Sequence, residues 1–147
     1  MGDRHQDTKT AMSISRTQKR LRFDRADVQE EAGGQCRVEV TFTFSERNIT
    51  ASASGACDGA SRLKAAAGAA LKAVEETVER RFTCVLADLD HVNALGKDLI
   101  GVLVDVTFED REMQVFGSCQ IVDNEIDAAV KSALNATNRF FELAMRG

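Results

Sequence analysis

An apolar residue occupies every second position in the stretch Val38-Glu-Val-Thr-Phe-Thr-Phe44, and again in Val102-Leu-Val-Asp-Val-Thr-Phe108. This period of two is typical of a β-strand that buries one face. A short polar turn follows each stretch, at residues 45–48 and 109–112, and a second strand-like run comes after it. The sequence therefore predicts two antiparallel hairpins, each with one apolar face.

Each hairpin leads through a Gly-x-Cys triplet, Gly55–Cys57 or Gly117–Cys119, into a long helical pattern. Apolar residues at steps of three and four predict helices over residues 59–80 and 124–144. The side chain just before each helix is expected to cap it. The candidate N-caps are Asp58 or Ser61 for the first helix and Asp123 or Asn124 for the second.

Further strands and turns are expected around the hairpins. We predict an opening strand over residues 21–28, a turn over residues 29–35, a strand over residues 82–89 and a loop over residues 93–98. Because each strand–strand–helix unit leaves an apolar stripe that it cannot bury alone, the two copies should pack together. The predicted fold is α+β, with two tandem (β)ββα repeats, residues 36–81 and 99–145, related by a pseudo-twofold. Their antiparallel sheets are covered by the two long helices, within a single domain of residues 23–147.

The charge of the chain is divided unevenly. The protein has 147 residues and a net charge of −4. Residues 1–25 contain seven basic and three acidic side chains, so they carry +4 and the rest carries −8. We interpret residues 1–22 as a flexible basic tail that could dock a partner protein. The acidic body argues against nucleic acid as a partner.

The cellular location is predicted from three features. No apolar run approaches the 18 residues of a membrane span, and the N-terminus lacks the apolar core of a secretory signal. The four cysteines, Cys36, Cys57, Cys84 and Cys119, form no Cys-x-x-Cys pair of the kind that zinc sites use. We therefore expect a cytoplasmic protein whose cysteines are small buried apolar groups, with no metal and no cofactor.

A family resemblance is carried by the last helical stretch, Asp127-Ala-Ala-Val-Lys-Ser-Ala-Leu-Asn-Ala-Thr-Asn-Arg-Phe140. It resembles the final helix of the alpha-isopropylmalate synthase regulatory domain, of the form Ala-x-x-x-Ala-x-Leu-x-Ala-x-Asn-Arg. Gly117–Cys119 and Asp123–Ile126 look like the Gly-x-Gly and the helix entry before it. Gly55–Ala60 is similar to the family's Gly-x-Gly-(Asn/Asp)-Gly-Pro, although the proline is absent and Cys57 replaces the second glycine.

The resemblance covers about residues 36–145 and implies a specific function. In the family this domain dimerises and binds an end-product amino acid, leucine in most members, near glycine-rich turns at the dimer interface. The catalytic barrel of the family is a separate domain of about 250 residues, which a chain of 147 residues cannot contain. The resemblance therefore implies a stand-alone relative of the regulatory domain without catalytic activity.

The two glycine-rich turns form the predicted ligand site. Free backbone N–H groups at a helix N-terminus favour a carboxylate, an alanine-lined wall accepts an aliphatic side chain, and an aspartate pairs with an ammonium group. The plain alternative is that these glycines serve only as turns. The predicted ligand-binding residues are Gly55, Cys57, Asp58, Gly59, Ala60, Gly117, Cys119 and Asp123.

Other chemistry is weaker in this sequence. Asp88, Asp90 and His91 include metal-ligand types, but neighbouring strand residues point to opposite faces, so we interpret them as a polar strand end. The charged run from Glu75 to Arg81 is interpreted as a solvated helix face. No serine or cysteine lies in a nucleophile motif, so we predict no catalytic residue and no enzyme activity.

Two functional hypotheses remain open. The first is a regulatory module that binds an amino acid or a similar small metabolite at the glycine-rich turns and acts through a homodimer. The second is a scaffolding or adaptor protein that recruits a partner through its dimer surface or its basic N-terminal tail. The missing proline and second glycine favour the second hypothesis.

Overall fold

The computed structural model describes residues 20–146. The predicted tail, residues 1–22, lies outside the described residues as far as residue 19, and the first strand begins at Arg22. Three strands followed by one helix occur twice along the chain. The elements are β1 (Arg22–Glu31), β2 (Gln35–Phe44), β3 (Arg47–Ala56), α1 (Gly59–Thr77), β4 (Phe82–Ala94), β5 (Lys97–Phe108), β6 (Arg111–Gln120) and α2 (Glu125–Arg146).

The strands form two separate antiparallel sheets of three strands, in the orders β1-β2-β3 and β4-β5-β6. The two alternating stretches of the sequence are the middle strands, β2 and β5. Their apolar residues on one face are almost fully buried, apart from the half-buried Phe44 and Phe108 at the strand ends, as the period of two predicts. The predicted α+β class, with antiparallel sheets and two helices, is confirmed.

Tight turns join the strands of both sheets. Ser45 and Glu46 connect β2 to β3, and Glu109 and Asp110 connect β5 to β6, all four with positive φ between 48° and 67°. Two such residues in a row are typical of type I′ hairpin turns, whose twist matches that of the flanking strands.

Each helix covers its own sheet. Helix α1 packs on β2 and β3, α2 packs on β5 and β6, and the helices also pack on each other. Each sheet thus has one helix-covered face, which forms the core, and one outer face. Three phenylalanines, Phe82, Phe108 and Phe140, fill the core at one end of the second sheet, with ring centroids 6.0–6.2 Å apart.

Several predicted boundaries were wrong. Helix α1 ends at Thr77 instead of Arg80, because Glu79 and Arg80 adopt positive φ values of 54° and 58° that no helix accommodates. The expected loop over residues 93–98 is a hairpin, in which β4 and β5 continue until only Leu95 and Gly96 separate them. Strand β4 is therefore five residues longer than expected, and the turn predicted at residues 29–35 shrinks to a 3₁₀ turn at Ala32–Gly34.

Neither α1 nor α2 is long and apolar enough to cross a bilayer. The alanine-rich α1 owes its burial to close packing on the first sheet and on α2.

Candidate functional site

Two of the predicted ligand-binding residues, Cys57 and Asp58, lie between β3 and α1, and two more, Gly59 and Ala60, are the first residues of α1. Asp58 is the N-cap of α1, as one of the two predicted candidates: its Oδ1 accepts from the Ser61 N–H at 2.9 Å and its Oδ2 from the Ser61 hydroxyl at 2.8 Å. These hydrogen bonds hold the pKa of Asp58 below its usual value. The helix N-terminus therefore already has an anion, so a ligand carboxylate would have to displace Asp58.

A disulfide bond joins Cys57 to Cys36, at a sequence separation of 21 residues. The expectation that these two cysteines are free buried groups was wrong, because the start of β2 lies beside the end of β3, with Cys36 paired to Gly55. Bonded to Cys36, the Cys57 sulfur is not a free thiol for a ligand. Gly55, inside β3, lies against Ser61, so a Cβ there would meet the Ser61 oxygen at 3.6 Å.

The other two cysteines are free thiols. Cys84 is buried, and this burial, with the nearby charge of Glu75, raises its pKa to about 12. The expectation of a small buried apolar group holds for Cys84. Cys119 is half-buried near the end of β6, and its Sγ lies 3.4 Å from the carbonyl oxygen of Gln120.

Gly117 is not a turn residue. It lies inside β6, buried directly beneath α2, where an added Cβ would be 2.5 Å from the Ala136 backbone nitrogen and 2.7 Å from the Ala136 Cβ. At this point the helix and the strand touch backbone to backbone, which only glycine permits. The expected ligand role of Gly117 therefore has no open space around it.

The two Gly-x-Cys triplets occupy different positions in their hairpins. Counted from the turn, Gly55 is the ninth residue of β3, whereas Gly117 is the seventh of β6. Gly117 pairs with Val102, and the residue at the same depth in the first hairpin is Ala53, which pairs with Val38. Gly55 and Gly117 align in the sequence, but in the structure Gly55 lies two residues farther from its hairpin turn than Gly117 does.

The N-cap of α2 is Asn124 and not the predicted ligand-binding residue Asp123. Asn124 caps the helix, accepting from the Asp127 N–H at 2.8 Å, and Asp123 is exposed. Glu125 and Asp127 add negative charge to the first turn, which disfavours an anion there. Within residues 20–146, no hydrogen bond or disulfide joins the start of α2 to residues 57–60 at the start of α1.

The polar end of β4 makes local contacts. Asp88 and Asp90 each accept the backbone N–H of the next residue at 2.8 Å. The His91 Nε2 lies 3.2 Å from the Glu125 Oε1, which links the strand to the first turn of α2. In the described part of the chain, no group of three His, Cys, Asp or Glu side chains is placed to hold a metal ion.

A cleft that sequence reasoning missed lies at the other end of the first sheet. It has a volume of about 200 Å³. We call it the Arg47 cleft; its lining is Phe44, Arg47, Thr77, Val78, Glu79, Arg81 and Met145. Two arginines and one glutamate thus surround an apolar floor, half-buried or buried at Phe44, Val78 and Met145.

The folding of this segment explains why the cleft was missed. The charged run up to Arg81 was interpreted as a helix face, but α1 ends at Thr77 and Glu79 lies in the turn after it. Arg81 is held there by donating from a guanidinium nitrogen to the carbonyl of Ala144, near the end of α2. The only sequence signal was the density of charge just after the apolar stripe of α1.

Comparisons with known proteins identify no family for this chain. No protein-family model matches the chain, and no curated protein matches it.

Proposed function

We propose that this protein is a non-enzymatic regulatory module that binds a small amino acid with an apolar side chain and acts as a homodimer. The observation that carries the proposal is the Arg47 cleft, where charges of both signs adjoin an apolar floor. The site differs from the one predicted at the two glycine triplets, because Asp58 already places a carboxylate at the start of α1 and Gly117 is packed against α2.

The chemistry of the cleft matches a zwitterion. The guanidinium groups of Arg47 and Arg81 are suited to a carboxylate, which arginine binds through charge-assisted hydrogen bonds. The Glu79 carboxylate is suited to an ammonium group, and Phe44 and Met145 supply apolar surface for an aliphatic side chain. An amino acid presents these three features together.

The resemblance to the alpha-isopropylmalate synthase regulatory domain agrees with this ligand class and adds a repeat to the proposal. We propose that residues 36–81 and 99–145 are tandem repeats related by a pseudo-twofold. Two facts support it: the hairpin turns follow Phe44 and Phe108, and the paired residues Val38 and Ala53 lie at the same depth as Val102 and Gly117.

The strand edges support a homodimer. Strand β1 protects its edge with charged side chains and with a bulge near Asp24. Strand β3, at the opposite edge of the same sheet, has no charged residue after Arg47 and no register shift. Unprotected edges of this kind are suited to pairing with a second chain.

The test is a thermal-shift screen of the full-length protein against the amino acids, with the oligomeric mass measured in parallel. A ligand at about 100 times its Kd should add about 2.7 kcal/mol to the free energy of unfolding. We expect an aliphatic amino acid to give the shift, and Arg47→Gln or Glu79→Gln to remove it. Arg80→Gln, an exposed neighbour outside the cleft lining, is the matched control and should keep it. A flat screen on a correctly folded protein would contradict the proposal.

A second candidate function is recruitment of a partner protein through the dimer surface or the N-terminal tail. The observation that favours it is the separation of charge, +4 on residues 1–25 against −8 on the rest. Reversal of Lys9, Arg16 and Lys19 to glutamate should abolish recovery of a partner that binds through the tail. Unchanged recovery would exclude the tail and leave the dimer surface.

The proposal includes a cytoplasmic location, although the Cys36–Cys57 bond of the structure is of a kind that persists in oxidising compartments. Cysteine pairs are normally kept reduced in the cytosol. Cells lysed directly into an alkylating reagent should therefore yield protein with Cys36 and Cys57 alkylated. Recovery of the intact Cys36–Cys57 bond would instead indicate an oxidising compartment.

A further inference from the structure

The outer face of the second sheet exposes a continuous apolar surface, which we call the Phe116 face: Val85, Val92, Leu99, Leu103 and Phe116. Val85 is 64% exposed and Phe116 59% exposed. The strand register places Leu103 beside Phe116 and Val92 beside Leu99. These side chains lie on the opposite side of the sheet from α2, so the core does not account for them.

Gly101 joins the two pairs into one surface. A Cβ at Gly101 would lie 3.0 Å from the Phe116 ring and 3.1 Å from a methyl group of Val92. The Phe116 ring therefore lies across the backbone of Gly101 towards Val92. The result is an apolar strip that runs across all three strands, β4, β5 and β6.

Negative charge borders this strip. Asp88, Asp90, Asp105 and Glu112 alternate with the apolar residues on the same face, by the register of the strands. Among residues 20–146 none of these four carboxylates forms an ion pair. A hollow of about 420 Å³ adjoins the strip, and Asp105 and Glu112 are in its lining. The chemistry of the surface thus calls for an occupant that is basic and partly apolar.

A second copy of the same face does not fit, because it would oppose four unpaired carboxylates with four more. The chain itself contains a segment of the required chemistry. Residues 8–19 include Lys9, Arg16 and Lys19 and no acidic residue, and they include the apolar Met12 and Ile14. We propose that the basic N-terminal segment, residues 8–19, binds the Phe116 face of its own chain.

The length of the chain permits this contact. The described chain begins at Arg20, which lines a small cleft with Leu134 and Phe141 of α2. Residues 1–19 can extend to about 60 Å at about 3.3 Å per residue. The outer strands of a three-stranded sheet are only about 10 Å apart, so the segment is long enough to pass an edge and reach the outer face. Attachment to the same chain also raises its effective concentration at the face.

Zero-length carbodiimide cross-linking of the full-length protein tests the proposal, since it joins only lysines and carboxylates in direct contact. We expect links from Lys9 to Asp88, Asp105 or Glu112, mapped by mass spectrometry. In an equal mixture of isotopically light and heavy protein, the links should stay within one chain. Raising the salt from about 0.1 M to about 1 M should weaken them severalfold.

A pair of variants shows whether the yield of the cross-links depends on the apolar strip or on charge alone. Phe116→Lys should lower the yield of these links about fivefold or more, because it removes the apolar contact and repels the segment. Thr50→Lys, on the outer face of the first sheet, adds the same charge and should leave the yield unchanged. Val85→Lys replaces the Phe116 variant if circular dichroism shows that the latter is unfolded.

Three outcomes would overturn the proposal. Links spread equally over carboxylates of the first sheet, such as Asp27 and Glu39, would mean that the segment has no preferred face. Equal yields in Phe116→Lys and Thr50→Lys would mean that the apolar strip is not used. Links confined to mixed-isotope pairs would place the segment of one chain on another.

Discussion

The two sheets share one plan on the inside and differ on the outside. Both present a face of apolar residues from a middle strand, β2 or β5, to a covering helix. The outer face of the first sheet is polar, and its charges are paired along the strands: Arg25 with Asp27 at 3.4 Å, and Arg37 with Glu39 at 3.3 Å. The outer face of the second sheet exposes Phe116, and among residues 20–146 the neighbouring carboxylates of this face form no ion pair.

This difference indicates which face of a sheet can vary in its surface chemistry without loss of the core. The inner faces must bury apolar surface against a helix, so packing constrains them alike. The outer faces are not packed against a helix, and a phenylalanine there adds nothing to the core. A surface that departs from the polar pattern of its counterpart is therefore the place to look for binding.

The sheets also differ in how they are joined to their helices. The first sheet is tied to the turn before α1 by the Cys36–Cys57 disulfide. The second has no such bond and instead brings α2 onto the backbone of β6 at Gly117. There the buried Ser132 hydroxyl is within 2.8 Å of the Ile100 carbonyl and 2.7 Å of the Ala128 carbonyl, to which it donates.

The largest expected effect follows from breaking the covalent tie of the first sheet. The double variant Cys36→Ala and Cys57→Ala should lose about 3 kcal/mol of free energy of unfolding, because the bond closes a loop of about 20 residues in the unfolded chain. Urea unfolding with and without reductant measures it. Reductant should weaken the wild-type protein and leave the double variant unchanged; a wild-type protein indifferent to reductant would contradict the disulfide.

The next effect concerns the close contact of the second sheet. Gly117→Ala should destabilise the protein by about 2 kcal/mol, since the new methyl group meets the backbone of α2 and the helix must shift. Gly68→Ala is the matched control, because Gly68 lies within α1 and has no atom within 4 Å of an added Cβ. That change should stabilise the protein by up to about 1 kcal/mol, the difference in helix propensity. If urea unfolding gives changes in the free energy of unfolding of the same sign for the two variants, the close contact at Gly117 is contradicted.

The smallest effect is the acid dependence of the α1 cap. The pKa of Asp58 is lowered in the folded protein by its hydrogen bonds to Ser61, so its stabilising contribution is present above the unfolded pKa of about 4. The contribution is lost as the pH falls through the lower, folded pKa. Asp58→Asn keeps an acceptor for the Ser61 N–H but does not titrate.

The stability of the wild-type protein should therefore fall more steeply than that of Asp58→Asn as the pH drops below about 4. Thermal unfolding across the pH range 2–6 makes the comparison, and Asp123→Asn serves as the control, because Asp123 does not cap α2. Parallel curves for wild-type protein and Asp58→Asn would show that the cap carries no charge-dependent stability.

Much of the fold was predictable because its signals are local. The alternation of Val38–Phe44 identified the central strand of the first sheet, and the spacing of apolar residues identified both helices. Asp58 was predictable as a cap from its position before an alanine-rich helix. The hairpin at Leu95 and Gly96 was missed, because the polar residues on both sides of this turn resemble a loop although they pair as strands.

The candidate site was much less predictable. The glycine pair looked equivalent in sequence, yet Gly55 and Gly117 lie at different depths in their strands. The Arg47 cleft joins a hairpin turn, the end of α1 and the end of α2, which are about 30 and 100 residues apart in the chain. No local sequence pattern indicates that these three segments lie next to one another.

By itself the sequence determined which face of each strand and helix is buried, because periodicity expresses burial directly. The tertiary structure alone decided which cysteines are bonded, why Gly117 must lack a side chain, and which charges surround an apolar surface. These features depend on the register between strands and on the distance between a helix and its sheet. Both are set by the packing of the whole core, to which residues far apart in the chain contribute together.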